Sequence, residues 1–94
     1  MTEHELKTWP PYYEAVASGA KTFELRKDDR AYAIGDVLLL REWSPAADAY
    51  TGRWIRVRVT YLVRDAAHFG LAFGYVILGI EREASKETTT CTTS

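Results

Sequence analysis

Apolar and polar positions alternate most regularly in "WIRVRVTYLV", residues 54 to 63. A period of two is the mark of a strand with one buried face. Ile55, Val57, Val59, Tyr61 and Val63 are therefore expected inward, and Trp54, Arg56, Arg58 and Thr60 outward. "VLLLREW", residues 37 to 43, is apolar on both faces at its start, as a central strand is. "KTFELR" alternates Phe23 and Leu25 against Thr22, Glu24 and Arg26. "HELKTW" has strand character too: His4, Leu6 and Thr8 share one face, and Glu5, Lys7 and Trp9 the other. "YVILGIER", residues 75 to 82, reads as the closing strand.

One segment follows a different period. In "PPYYEAVASG" Tyr12, Val16 and Ala20 recur at spacings of four, with Tyr13 and Ala17 on the adjacent row. Pro10 and Pro11 suit a first helical turn, where their missing amide hydrogens cost nothing. Gly19 stands where a left-handed residue ends a helix. "SPAADAYTGR" reads as a hairpin loop with Thr51-Gly52 as its tight turn. "RDAAHFGLAFG" is a connection with one helical turn. The order is β-α-β-β-β-β. Five strands in so short a chain leave open edges unless the sheet curls. The expected fold is α+β and mostly β: a small, partly closed β-barrel with one early α-helix against its side.

Composition adds bounds. The chain has 94 residues, 47% hydrophobic and 13% aromatic, enough for one small core. "ASKETTTCTTS" lacks apolar periodicity, so residues 84 to 94 are expected to be a disordered tail behind a domain of residues 1 to 83. No run approaches the roughly 18 apolar residues of a membrane span, and no signal pattern opens the chain. A lone cysteine, Cys91, forms no internal disulfide. A cytoplasmic protein is the expectation. Net charge is −1, without the basic excess of a nonspecific binder of long nucleic acid. Eight of the 12 basic residues are arginine, however, which suits planar, bidentate recognition at a local target.

Residues 19 to 26 carry a resemblance. Gly19-x-Lys21-x-x-Glu24-x-Arg26 resembles the G-x-K-x-x-E-x-R signature of ASCH domains, in the PUA-like superfamily. The flanks, from "HELKTWPPYYEAVASG" through "DVLLLREW", are similar to a small bacterial and phage branch of that family. "YTGR", "VTYLV" and "GYVILGI" fall where that branch places its later strands. The resemblance covers residues 4 to about 82. It implies a barrel with a cleft beside the helix that binds RNA or a modified nucleoside or nucleotide. One ASCH branch hydrolyses N4-acetylcytidine with a Lys, a Thr and a Glu. The Lys falls on Lys21, but the Thr position is Glu24, and the short "RDAAHFGLAFG" offers only Asp65 and His68 for the remaining acid.

With that frame, Glu24 and Arg26 lie two apart on one strand face, about 7 Å between α-carbons. A carboxylate fixed by a guanidinium can accept from an exocyclic amine, while Arg26 holds a carbonyl or phosphate oxygen. Lys21 can hold phosphate or, in an enzyme, act as a base with Glu24 as proton carrier. Lys7 is a second phosphate ligand and Trp9 the stacking surface, base stacking on an aromatic contributing ~1–3 kcal/mol. His4, Arg30, Arg41 and Tyr75 are secondary candidates, and Arg53 is a further rim arginine. A hydrolase acting on a modified nucleoside or RNA is the second reading. A third is a protein-interaction module using the outward Trp54, Arg56 and Arg58. No metal loop or zinc cluster is present around Asp28 and Asp29, Ser18 and Thr22 lack a His-acid pair, and no cofactor is expected.

Overall fold

The computed structural model describes residues 1–83. β1 (Glu3–Thr8), α1 (Pro10–Ala17), β2 (Phe23–Lys27), β3 (Val37–Ser44), β4 (Ala49–Val63), a 3-10 turn (Ala67–Phe69) and β5 (Tyr75–Arg82) follow in the expected order. The five strands form one sheet, ordered β1-β3-β4-β5-β2. β1 runs parallel to β3, and the other three pairings are antiparallel. The fold is mostly β, and the sheet curls into a half-barrel.

Local chemistry sets the elements. Pro10 opens α1 behind an extended Trp9, and Gly19 ends it at φ 88°, a conformation glycine adopts without Cβ strain. The helix is eight residues long, shorter than "PPYYEAVASG", and it buries Tyr13 and Val16 but not Tyr12. These two side chains join Leu38, Leu40, Val57, Val59, Val76 and Leu78, all fully buried, in the concave core. Each contributes roughly 1.5–3 kcal/mol. β3 lies between β1 and β4, the central place its apolar start indicated. No described helix is long and apolar enough to cross a membrane.

Two expectations are corrected. Val59 pairs with Ile80, yet Tyr61 pairs with Gly79. Thr60 is thus an extra residue in β4, and a one-residue slip turns every later side chain over. Leu62 packs against the core instead, while Tyr61 and Val63 face outward at 65% and 36% exposure. The β3–β4 hairpin also turns elsewhere. Ser44 pairs with Ala49, so Pro45 to Asp48 form the turn, with Asp48 left-handed at φ 52°. Thr51 and Gly52 lie inside β4, at a second irregularity opposite Glu42. The expected tail, residues 84 to 94, lies outside the described residues.

Candidate functional site

β2 is an edge strand with its charged side inward. Glu24 and Arg26 register with Leu78 and Val76, which are fully buried, so both side chains point into the concave face. Glu24 is 2% exposed, whereas Phe23 and Leu25 stand outward. The bonds Ile80 N–H to the Thr22 carbonyl and Asp28 N–H to the Gly74 carbonyl fix the alternation of the strand. The backbone groups of Phe23 and Leu25 therefore point to its free edge.

Across that free edge lies β1, and no backbone ladder joins the two. Arg26 bridges the gap instead, Nη1 donating to the Lys7 carbonyl (3.1 Å) and Nη2 to Thr8 Oγ1 (3.2 Å). Arg30 donates to the Glu5 carbonyl (3.1 Å) further along. A cleft of about 590 Å³ opens beside the Arg26 bridge, lined by Lys7, Thr8, Trp9, Tyr12 and residues 21 and 23–26.

Glu24 is the floor of this cleft. Oε2 accepts from Lys21 Nζ at 2.7 Å and Oε1 from Arg26 Nε at 2.9 Å. The side chains are 3%, 16% and 23% exposed for Glu24, Lys21 and Arg26. A buried carboxylate is costly unless paired and hydrogen-bonded, and here it is both. Capacity remains: a carboxylate offers about four lone-pair sites, an ammonium three donors and a guanidinium five. Formal charge is positive by one over the three groups, and by two with Lys7. Around them stand Trp9, Tyr12 and Phe23, each roughly half exposed. Lys21 Nζ lies 5.0 Å from the Phe23 ring centre, Lys7 Nζ lies 4.3 Å from that of Trp43, and Trp43 stacks obliquely on Trp9 at 6.5 Å.

A family model described as a domain of unknown function, DUF3850, matches residues 3–80. The chain belongs to the DUF3850 family. It is also 42% identical, over 57 residues, to an uncharacterised 12.9 kDa protein in the GpA 3′ region of Escherichia phage P2. That match covers 61% of this chain and 50% of the phage protein.

Of the residues singled out in the sequence, this DUF3850 fold brings Lys7, Trp9, Lys21, Glu24 and Arg26 together at one cleft. Thr8, Tyr12, Phe23 and Leu25 complete it. Their signal was adjacency, Tyr12 one helical turn beyond Trp9 and Phe23 next to Glu24. The secondary candidates lie elsewhere. His4 is buried, its Nε2 2.9 Å from Asp36 Oδ2 and its ring against Tyr32. Arg30 lies in a smaller hollow with Asp29 and Tyr32. Arg41 pairs with Glu5 and covers the Tyr50 ring. Tyr75 registers with Lys27 at the far end of β2. Arg53 binds Glu42 and Glu14 over the Tyr13 ring, tying the hairpin to α1. Asp28 pairs with Arg64, and neither Asp65 nor His68 lines the cleft. On the outer face Trp54 is 57% exposed, while Arg56 pairs with Glu3 and Glu83.

Proposed function

We propose that this DUF3850 domain is a PUA-like, ASCH-type barrel that binds RNA or a nucleotide, with or without a modified base, in the cleft between β1 and β2. The observation that carries the reading is Glu24: a carboxylate buried beneath an aromatic rim, with each oxygen held by a cation and lone pairs left over. Such a group accepts from the exocyclic amine of a base. Trp9, Tyr12 and Phe23 offer faces for a flat heterocycle, and Lys21, Arg26 and Lys7 offer donors for a phosphate. A cleft of this size falls in the ~300–1,000 Å³ range of small-ligand sites.

One contact favours hydrolysis as a second reading. The 2.7 Å Lys21–Glu24 bond is a dyad able to pass a proton, with Lys21 as base and Glu24 as carrier. The absence of Asp65 and His68 from the cleft lining leaves that dyad without the further acid that the resemblance implies, so binding is placed first.

The test is a thermal-shift and mass-spectrometry screen of canonical and modified nucleosides, nucleotides and short RNAs, with Glu24→Gln and Lys21→Met in parallel. The expected result is a stabilising ligand whose effect is lost in both variants. Unaltered ligand mass supports binding, and a changed mass supports hydrolysis. Stabilisation by no compound in the set overturns the small-ligand reading. For a mononucleotide the affinity should fall only shallowly with salt, since few phosphates are neutralised.

A further inference from the structure

The outer face of the sheet carries a second feature, at its β1–β3–β4 end. The chain has three tryptophans, and none belongs to the buried core. All three gather on this face. Lys7, Arg41 and Trp54 are register partners across β1, β3 and β4, a row about 10 Å long at the ~4.8 Å spacing of neighbouring strands. Further along β3, Trp43 pairs with Tyr50, and Trp9 stacks obliquely on Trp43 at 6.5 Å. Cations lie between these rings. Lys7 Nζ is 4.3 Å from the Trp43 ring centre, and the Arg41 guanidinium is 3.9 Å from that of Tyr50. Trp9 is 50% exposed, Tyr50 42% and Trp54 57%. Lys7 forms no ion pair among the described residues. Arg41 Nη1 donates to Glu5 Oε2 at 2.6 Å. Trp9 and Lys7 also line the cleft, so cleft and face are continuous.

We propose that this face binds the nucleotides next to the one held in the cleft, so that the ligand is a short single strand of RNA. The inference rests on the cleft reading and extends it. A single strand repeats one anion and one flat ring per residue, and the face offers ring faces with cations set between them. Stacking of this kind tolerates any sequence, because every base has a π-face. A duplex keeps its bases stacked inside and has no ring to offer Trp54. Over cleft and row together, Lys7, Lys21, Arg26 and Arg41 stand against Glu5 and Glu24. Four cations against two carboxylates suit a strand of few phosphates, not a long backbone. Glu5 also favours RNA over DNA. Its Oε1 takes no hydrogen bond among the described residues, and it can accept from a ribose 2′-hydroxyl, which DNA lacks.

Titration calorimetry tests the assignment with cytidylate and adenylate hexanucleotides as RNA and as DNA, the matching mononucleotides, and an RNA hairpin duplex. The RNA hexanucleotides are expected to bind about tenfold or more tighter than the mononucleotides and the duplex. Trp54→Ala and Tyr50→Ala, each with an unchanged circular dichroism spectrum, should weaken the hexanucleotides about fivefold or more, as loss of a stacked base does. Both should leave mononucleotide affinity as it is. Arg41→Gln should make the salt dependence of hexanucleotide binding shallower by about 0.7 in the log–log slope, one phosphate of a single strand. Hexanucleotides bound no tighter than mononucleotides, or bound by both aromatic variants as by the wild type, overturn the proposal and leave the cleft reading intact. DNA or the duplex bound as tightly as the RNA strands also overturns it. Hexanucleotide binding that needs Trp54 but not Glu24, with no mononucleotide bound, upholds the face and removes the cleft reading.

Discussion

Glu24 gives up water on nearly all sides, and it is stable there because Lys21 and Arg26 stay with it. Taking the carboxylate away leaves two half-buried cations facing one another. Glu24→Ala should therefore cost about 3 kcal/mol, as removal of one partner from a buried pair does, read as a lower urea midpoint. An unchanged midpoint would show that the trio does not hold the fold together. A second group of carboxylates sets the acid limit. Arg64 donates to Asp28 and holds it below the usual range. Burial pushes Asp36 up, but hydrogen bonds from His4, Thr2 and Ala33 outweigh it and leave it lowered. Arg53 and then Thr51 lower Glu42. Each has a folded pKa below its unfolded one, so the stabilisation is complete above the ordinary 3.8 to 4.5 and is lost as pH falls through the folded values. Urea midpoints should hold from neutral pH to about 5 and then drop steeply toward pH 3. A flat profile across that interval would contradict the assignment.

At the scale of elements, Thr60 and Gly79 form a coupled pair. A Cβ on Gly79 would stand 3.2 Å from Thr60 Oγ1, tighter than an ordinary contact, and 3.6 Å from the Tyr61 Cβ. Gly79→Ala should therefore be better tolerated in a Thr60→Ala background, where the nearest obstacle is gone, than beside Thr60. Strict additivity in a double-mutant cycle of urea midpoints would show that the bulge does not set the tolerance at Gly79. These elements also show what the sequence could convey. His4, Leu6 and Thr8 in β1 and residues 54–59 of β4 alternate without interruption, the start of β3 is apolar on both faces, and Pro10 and Gly19 bound the helix by backbone chemistry alone. An extra residue has no such signature: Tyr61 and Val63 keep the apolar alternation even though the pairing register changes beneath them. In β2 the alternation is legible, but which side faces in is not, because charge and apolar character trade places around a cleft. Thr51-Gly52 has turn composition, yet Glu42 holds Thr51 and Arg53 and draws that segment into the strand. That Glu24 and Arg26 share a strand face is legible in their spacing, whereas Lys21 joins them only through the G-x-K-x-x-E-x-R signature that residues 19 to 26 resemble. The approach of Trp9 and Tyr12 depends on packing of α1 across the sheet, which no local pattern encodes.

For the whole molecule, closure of the half-barrel rests on Arg26 and Arg30 reaching the β1 backbone. Hydrogen bonds to charged donors contribute about 1.5–3 kcal/mol each. Arg26→Ala should speed amide exchange in β1 by about tenfold or more while exchange in the β3–β4 ladder stays slow, in line with local opening at an edge. Equal acceleration throughout would mean that the edge opens only with the whole sheet. Where two strands meet through a ladder, a hydrogen bond fixes their separation at a single spacing. Here the separation is gauged by the reach of an arginine, so the width of the opening is a quantity that side-chain length can tune. A lysine at position 26 would be a finer instrument than an alanine, altering the gauge without removing it.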